Sequence, residues 1–162
     1  PAKGRTHVLR LIRELLYFMP QHRKTDLRAP LDFLNSSLSR RSIVFLVTDG
    51  LTIQPLEREL RIAAAKHDLI MVLVRDPREN LLPDVGLIEI EDPETGAEMM
   101  FDTSDRAAVA ELARRQSQLD EEFMKTCRKL GLDVIRLTAG ESVVKPVCRL
   151  FSEREKKMAM QR

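Results

Sequence analysis

The chain has 162 residues, of which 43% are hydrophobic and 32% charged, a composition that is typical of one globular domain and argues against a disordered chain. The 27 basic and 25 acidic residues leave a net charge of +2, so charge alone gives no support to nucleic-acid binding. The longest apolar runs, residues 43–47 and 69–74, are far shorter than the ~20 residues that cross a bilayer, which argues against a membrane span. With two cysteines, Cys127 and Cys148, and no secretory leader, we expect a reducing, cytoplasmic compartment.

Two amphipathic helices are predicted before the first strand. The first begins near Thr6 and is ended by Pro20, and the second is capped by Asp26, whose carboxylate can accept hydrogen bonds from the free amides of the first turn. Apolar residues recur every three or four positions in both segments, which gives each helix one apolar face. These residues are Val8, Leu11, Ile12, Leu15, Leu16 and Met19 in the first helix, and Leu27, Leu31, Leu34 and Leu38 in the second.

Residues 42–48 and 69–74 are short apolar runs rich in β-branched side chains, which is typical of parallel strands covered on both faces. Between them, Pro55 opens a predicted helix that runs to about Lys66. A strand, a helix and a strand at this spacing predict a βαβ unit. The inward residues of the helix are Leu56, Leu60 and Ala63.

A hairpin is predicted next, with strands at 85–91 and 97–102 around a tight turn at 92–96, and we expect it at an edge of the sheet. The rest of the chain then returns to the helix and strand pattern. It comprises a long helix over 104–130 closed by Gly131, a strand over 133–137 and a terminal helix from Glu141. The predicted fold class is therefore α/β, with a parallel sheet flanked by helices and an antiparallel edge hairpin.

Asp49 is the strongest candidate for a functional residue. It directly follows a predicted strand and precedes Gly50, and ligands of open α/β sheets bind beyond the carboxyl ends of the strands. A carboxylate there can coordinate Mg²⁺, although an Asp in this position can equally cap the following turn, and the sequence leaves both interpretations open. Asp76 precedes Pro77, a pair that more often starts a turn than binds a ligand.

The sequence supports no familiar catalytic or zinc site. His7, His22 and His67 lack metal-ligand spacing, and both cysteines are predicted to be packed side chains. No nucleophile-elbow, P-loop or dinucleotide-binding motif occurs, which removes the local evidence for a hydrolase, a P-loop NTPase or a dinucleotide enzyme.

Eight short stretches, in order along nearly the whole chain, carry a family resemblance. They are GRTH (4–7), TDL (25–27), VFLVTD (44–49), KHD (66–68), RDP (75–77), LPDVG (82–86), DPETG (92–96) and DTSD (102–105). Together they resemble the carboxyl-terminal part of the bacterial proteins called domain of unknown function 58. These proteins are similar to von Willebrand factor A domains and are typically encoded beside MoxR-type AAA+ ATPases.

The resemblance implies a metal-ion-dependent adhesion site that is incomplete in this chain. In the family, an Asp-x-Ser-x-Ser loop, a Thr and a later Asp form the site; by resemblance Thr25 and Asp49 take the last two roles, helped by Asp26. The first role is empty, and the NSS stretch at 35–37 does not replace it, because it lies inside the second predicted helix rather than after a strand. Mg²⁺ would serve the complete family domain, and we expect weak binding or none in this chain.

The same resemblance implies that residues 1–162 form an incomplete von Willebrand A-like, Rossmann-like domain. The chain starts at Pro1 without an initiator Met, and we expect the first strands to be absent and an edge of the sheet to be exposed beside residues 43–47. A parent protein tethered to a membrane ahead of residue 1 is compatible with this interpretation.

These observations lead to a functional prediction with two alternatives. The chain is predicted to be a non-enzymatic protein-protein interaction module that works with a MoxR-type ATPase in protein assembly or maturation. The enzymatic alternative is metal-dependent phosphoryl transfer or hydrolysis that uses Asp49 and Asp76. A third expectation is self-association through the exposed sheet edge.

Overall fold

Helices and strands alternate along most of the part of the chain that the structure describes. The structure is a computed structural model, and it describes residues 4–19, 25–50, 56–79, 82–91 and 96–160. The predicted α/β fold class is confirmed. The elements in chain order are α1 (Arg5–Tyr17), α2 (Arg28–Ser37), β1 (Ile43–Thr48), α3 (Glu57–Lys66), β2 (Asp68–Arg75), β3 (Leu87–Glu91), β4 (Glu98–Asp102), α4 (Arg106–Leu130), β5 (Asp133–Thr138) and α5 (Val144–Met160).

A parallel sheet of three strands, in the order β1-β2-β5, forms the centre of the fold. β2 is the middle strand, and Val72 lies opposite Val47 of β1 on one side and Ile135 of β5 on the other. β1, α3 and β2 form the predicted βαβ unit. Because β2 is central and helices lie over both of its faces, residues 69–73 are all buried.

Helices cover the two faces of the sheet unequally. On one face, Leu69, Met71 and Leu73 pack with side chains from α2, α3 and α4. On the other face, Ile70 and Val72 pack against α5. Fully burying an apolar side chain of this size stabilises a fold by about 1.5–3 kcal/mol. The larger cluster contains the three residues predicted to face inward from this helix, of which Leu56 is the N-cap of α3. The buried residues of this cluster outside β2 are Leu31, Leu56, Leu60, Ala63, Phe123 and Cys127.

The prediction that β1 is covered on both faces is wrong. Val44 and Leu46 pack against the larger core cluster, but Ile43, Phe45 and Val47 on the opposite face are 56%, 44% and 61% exposed. The reason is the position of α5, which packs over β2 and β5 and leaves this face of β1 without cover from any described residue. β1 lies at an edge of the described sheet, which is where an exposed edge was expected.

The hairpin forms as predicted, but its placement at the edge of the parallel sheet is wrong. β3 and β4 pair antiparallel in a separate sheet of two strands. β3 begins at Leu87, two residues later than expected, because the amide of Val85 donates to the side chain of Thr103 at 2.9 Å. The buried Thr103 hydroxyl in turn donates to the carbonyl of Gly86 at 2.7 Å. The predicted turn falls mostly on residues 92–95, which lie outside the described residues.

The helix ends predicted at α2 and α4 agree with the structure to within one residue. Asp26 accepts a hydrogen bond from the amide of Arg28 over 2.9 Å, but the N-cap of α2 is Leu27, one residue later than predicted, and its side chain does not cap the helix. α4 is capped by Asp105, one residue after the predicted Ser104, and it ends at Gly131, whose φ of +66° is left-handed. The predicted stop at Pro20 and start at Pro55 lie outside the described residues.

Three helical predictions differ from the structure. α5 begins at Val144, because the amide of Glu141 closes a turn onto the carbonyl of Thr138. Leu38 is exposed, since it follows the last turn of α2. The apolar residues of α1 form the expected helical face, but none of them is buried. No helix in the described ranges is both long enough and apolar enough to cross a bilayer.

Arg154 ties α5 to the amino-terminal ends of two strands. Its guanidinium donates to both oxygens of Asp68 at 2.7 and 2.9 Å and to Asp133 at 2.7 Å. It also lies 5.6 Å from the ring centroid of Phe151, within the range of a cation-π contact. These hydrogen bonds from Arg154 are the main reason that the pKa of Asp68 is lowered below its ordinary value of 3.8.

We expect Asp68→Asn to reduce stability in a pH-dependent way. The lowered pKa means that ionised Asp68 stabilises the fold above pH 3.8 and that this contribution is lost as the pH falls through the folded-state pKa. The variant should therefore be less stable than the parent at pH 7, with a difference that shrinks below about pH 4. Urea unfolding from pH 7 to pH 2.5 measures it. In an Arg154→Met background, Asp68→Asn should lose this pH-dependent effect; a persistent effect would contradict the assignment.

Candidate functional site

Three loops meet at the carboxyl end of the parallel sheet, where open α/β sheets bind their ligands. They follow β1 at Thr48, β2 at Arg75 and β5 at Thr138. The parallel register places the last residues of these strands side by side, with Thr48 opposite Leu73 and Arg75 opposite Thr138. The candidate site is therefore this carboxyl end.

The turn after β1 is closed by its own side chain. The buried Thr48 hydroxyl accepts a hydrogen bond from the amide of Gly50 at 3.0 Å, a local turn typical of Thr. Between them, Asp49 is exposed at the end of the sheet. The chain thus presents a carboxylate residue at the expected place, on a turn whose backbone is fixed on both sides.

Arg75 links this turn to α4. Its side chain is only 14% exposed, and its guanidinium donates to the carbonyl of Asp49 and to the carboxylate of Asp120. The bond from Nε to Asp120 is 2.9 Å long. The amide of Gln116, oriented with its oxygen toward Arg75, accepts from the same guanidinium at 3.1 Å.

Gln116 and Asp120 belong to the site but were not predicted from the sequence. A signal was present, because both lie on the helical stripe that continues to Phe123 and Cys127, which are fully buried. Polar residues on an otherwise buried stripe need polar partners, and Arg75 is the partner here. Arg75 and Asp120 are 45 residues apart in the sequence, so no local pattern could predict that they pair.

Gly50 is required by two independent constraints. Its φ of +80° is left-handed, and a Cβ added to it would lie 2.8 Å from Leu73 Cδ1 and 3.1 Å from Phe123 Cδ2. Both neighbours are buried in the core, so neither can move without disturbing the packing around it. The glycine thus lets the turn after β1 press directly against the core.

Asp76 starts a turn, as the sequence favoured. Its Oδ1 accepts from the amide of Arg78 at 2.9 Å, and its Oδ2 accepts from Arg78 Nη2 at 2.7 Å. The side-chain hydrogen bonds of Arg78 are the main reason that the pKa of Asp76 is lowered. Both carboxylate oxygens are therefore occupied by Arg78.

The residues predicted for a metal site lie on two segments. Thr25 is exposed just before α2, Asp26 Oδ1 accepts a hydrogen bond from the amide of Arg28, and Asp49 follows β1. Within the described ranges, no three His, Cys, Asp or Glu side chains are arranged to hold a metal ion. These residues fit only a partial oxygen set for Mg²⁺, in which water would supply the remaining ligands.

The cysteines and histidines differ in their surroundings. Cys127 is buried, and its desolvation raises the pKa of the thiol to about 11. The prediction that Cys148 is packed is wrong, because it lies on the exposed side of α5. His67 is 2% exposed, and neither ring nitrogen has a hydrogen-bond partner in the described part of the chain. His22 lies outside that part.

Comparison with known proteins decides the family. The family model described as "Protein of unknown function DUF58" matches residues 1–122. The chain belongs to this family. The resemblance inferred from the short stretches is thus confirmed, while the likeness to von Willebrand A domains stays a prediction. No solved structure matches the chain.

The relatives of this DUF58 chain are uncharacterized proteins of mycobacteria. It is 29% identical over 160 residues to Rv1480 of Mycobacterium tuberculosis and to Mb1516 of Mycobacterium bovis, in alignments that cover 96% of the chain and 50% of each relative. It is 27% identical over 131 residues to MAV169 of Mycobacterium avium, covering 81% of the chain and 77% of that protein. The chain spans about half the length of the first two relatives.

We expect Gly50→Ala to destabilise the fold by about 2–4 kcal/mol, because left-handed strain and overpacking against the core add together. Gly140→Ala is the matched control, since Gly140 has a similar φ of +84° and a Cβ there would meet nothing within 4 Å. Gly140→Ala should lower the free energy of unfolding by about 1–2 kcal/mol, because it introduces only the backbone strain. Chemical denaturation of both variants measures the difference, and equal losses would show that contact with the core is unimportant.

Proposed function

We propose that this DUF58 chain is a non-enzymatic protein-protein interaction module that binds its partner at the carboxyl end of the sheet. The observation that carries the proposal is the exposed Asp49 on a turn fixed by Thr48 and Arg75. A turn that is already held in one conformation loses little entropy when a partner binds it. The partner we propose is a MoxR-type AAA+ ATPase, acting in the assembly or maturation of other proteins.

The polar groups around the turn support binding over catalysis. The guanidinium of Arg75 donates hydrogen bonds to Asp120, to Gln116 and to the carbonyl of Asp49. Its role is therefore to hold the turn. The enzymatic alternative uses Asp76 as a metal ligand, and a metal ion there would compete with the hydrogen bonds that both oxygens of Asp76 accept from the exposed Arg78. That alternative stays a prediction. It would be favoured if the chain catalysed metal-dependent phosphoryl transfer or hydrolysis and Asp49→Asn abolished that activity.

Thr25 and Asp49, with Asp26 next to Thr25 in the chain, are the residues that we propose to hold Mg²⁺. A bound Mg²⁺ would supply an open coordination position for an acidic group of the partner. The hydroxyl and carboxylate donors suit this hard cation, but two or three protein ligands make a weak site. The metal therefore assists the interaction and does not hold the fold together.

Mg²⁺ should stabilise the chain modestly. If the dissociation constant is about 1 mM, 10 mM Mg²⁺ adds ~1.4 kcal/mol to the free energy of unfolding. Urea unfolding with and without MgCl₂ measures this, with NaCl of matched ionic strength as the control for screening. Asp49→Asn should abolish the difference, whereas Glu155→Gln on α5 should retain it. An equal gain in Asp49→Asn would contradict the assigned ligand.

The partnership is tested by affinity capture from the source cell, with the protein in the form in which that cell produces it. We expect an AAA+ ATPase of the MoxR type among the captured proteins, with less of it when Asp49 is changed to Asn or when EDTA is present. Capture should be unchanged in Glu155→Gln, a matched loss of one exposed carboxylate. Repeated capture without any AAA+ ATPase would refute the proposed partner.

A second candidate function is self-association through the edge of β1 that pairs with no strand among the described residues. Asp68 donates its amide to the carbonyl of Ser42, so by alternation the peptide groups of Phe45 and Val47 face away from β2. The exposed side chains of the same residues make this edge apolar. Two such edges can pair about a two-fold axis into a closed dimer.

Light scattering of the isolated chain tests this candidate. We expect a dimer that Val47→Lys converts to a monomer, because a charge on an edge strand opposes strand pairing. Val143→Lys, at another exposed valine, is the matched control and should remain dimeric. A monomer for the unmodified chain would rule out self-association.

A further inference from the structure

The other edge of the parallel sheet, along β5, is also open in the described part of the chain. The amide of Ala139 donates to the carbonyl of Arg75 at 2.8 Å, which fixes which peptide groups of β5 point toward β2. Because peptide groups alternate along a strand of a parallel ladder, those of Val134 and Arg136 face away from β2. β5 therefore offers amides and carbonyls at strand spacing to a further strand.

A groove runs beside this edge, between β5 and α5. Its volume is about 470 Å³, and it has a strand side and a helix side. Its apolar part comes from Val134, Ile135, Pro146 and Leu150, of which Ile135 and Leu150 also belong to the smaller core cluster or pack against it. The lining residues are Val134, Ile135 and Arg136 from β5, and Lys145, Pro146, Arg149, Leu150 and Glu153 from α5.

The charge of the groove is predominantly positive. Arg136, Lys145 and Arg149 line it, with Glu153 as its one carboxylate. That carboxylate accepts a hydrogen bond from Arg149 at 2.9 Å, so these two side chains form a pair, and Arg136 and Lys145 supply the excess positive charge of the groove. Over the whole chain the net charge is only +2, and the groove therefore concentrates positive charge on one edge of the sheet.

We propose that β5 and α5 form a docking groove for an extended, acidic peptide segment of a partner protein, which adds to the sheet as a strand beside β5. Main-chain hydrogen bonds to Val134 and Arg136 give the affinity, and acidic side chains facing Lys145 and the Arg136 guanidinium give the preference. The pattern of the edge favours a peptide over a nucleic acid. Phosphates only accept hydrogen bonds, whereas the edge presents donors and acceptors in alternation.

This inference rests on one part of the proposed function, namely that the chain is a module that binds proteins. The groove lies along the edge of the sheet, and its lining includes neither Asp49 nor Thr25. Peptide binding here needs no Mg²⁺ and no ATPase. An assay in EDTA with a synthetic peptide can therefore fail while capture of the ATPase succeeds, and the reverse also holds.

The probe is a fluorescein-labelled heptapeptide of alternating glutamate and valine, titrated with the chain in EDTA and followed by fluorescence anisotropy. We expect saturable binding that weakens with added salt. The double variant Lys145→Glu with Arg149→Glu should weaken it at least tenfold. The matched double variant Lys156→Glu with Lys157→Glu reverses the same charge on α5 outside the groove lining and should change affinity less than twofold.

Amide exchange measured by nuclear magnetic resonance locates the peptide without any mutation. Addition of the peptide should protect the amides of Val134 and Arg136, while Ile135, whose amide faces β2, is unchanged. A peptide with N-methylated valines should bind at least tenfold more weakly, because it has lost donors for the edge. Both results together support strand addition at β5.

Several outcomes would overturn the proposal. One is equal binding of a heptapeptide with lysine in place of glutamate, and another is unchanged binding in the variant of Lys145 and Arg149. A third is exchange protection elsewhere in the chain with none at Val134 and Arg136. Binding of single-stranded oligouridine through the same cations, without binding of the acidic peptide, would assign the groove to nucleic acid instead.

Discussion

The burial of β2 on both faces is the constraint on which the rest of the structure depends. Its apolar side chains alternate between two clusters, one built with α2, α3 and α4 and the other with α5. Both neighbouring strands take their register from it. A polar substitution inside β2 would leave an unpaired group in one of the two clusters, which costs about 1–3 kcal/mol. The strand therefore joins the helices of the two faces, while α3 also contacts α2 and α4 directly on their own face.

Each end of β2 is tied to a different helix by an arginine and a carboxylate. At the beginning of the strand, Arg154 of α5 binds Asp68, and at the end Arg75 binds Asp120 of α4. Half-buried pairs of this kind gain little net stability, but each can be satisfied in only one arrangement of strand and helix. They complement the apolar clusters, which set how much surface is buried and leave the exact alignment less determined. The second pair also fixes the turn that carries Asp49.

The sequence predicted what depends on local patterns and missed what depends on neighbours. The two-sided burial of β2, the inward face of α3 and the stop at Gly131 each follow from spacing or from one special residue. The same apolar pattern failed for β1, because it does not distinguish a central strand from an edge strand. Asp49 was placed at the end of its strand, but Arg75 and Asp120 meet only through the tertiary fold.

The two thiols of the chain differ in a way that provides an experimental handle. A thiol reacts as the thiolate, and burial of Cys127 raises its pKa to about 11, so little thiolate forms there at neutral pH. Cys148 is exposed on α5, the helix that forms one wall of the groove. A maleimide dye or spin label should therefore attach to Cys148 without any engineered cysteine. The native chain thus carries its own reporter position for events along α5.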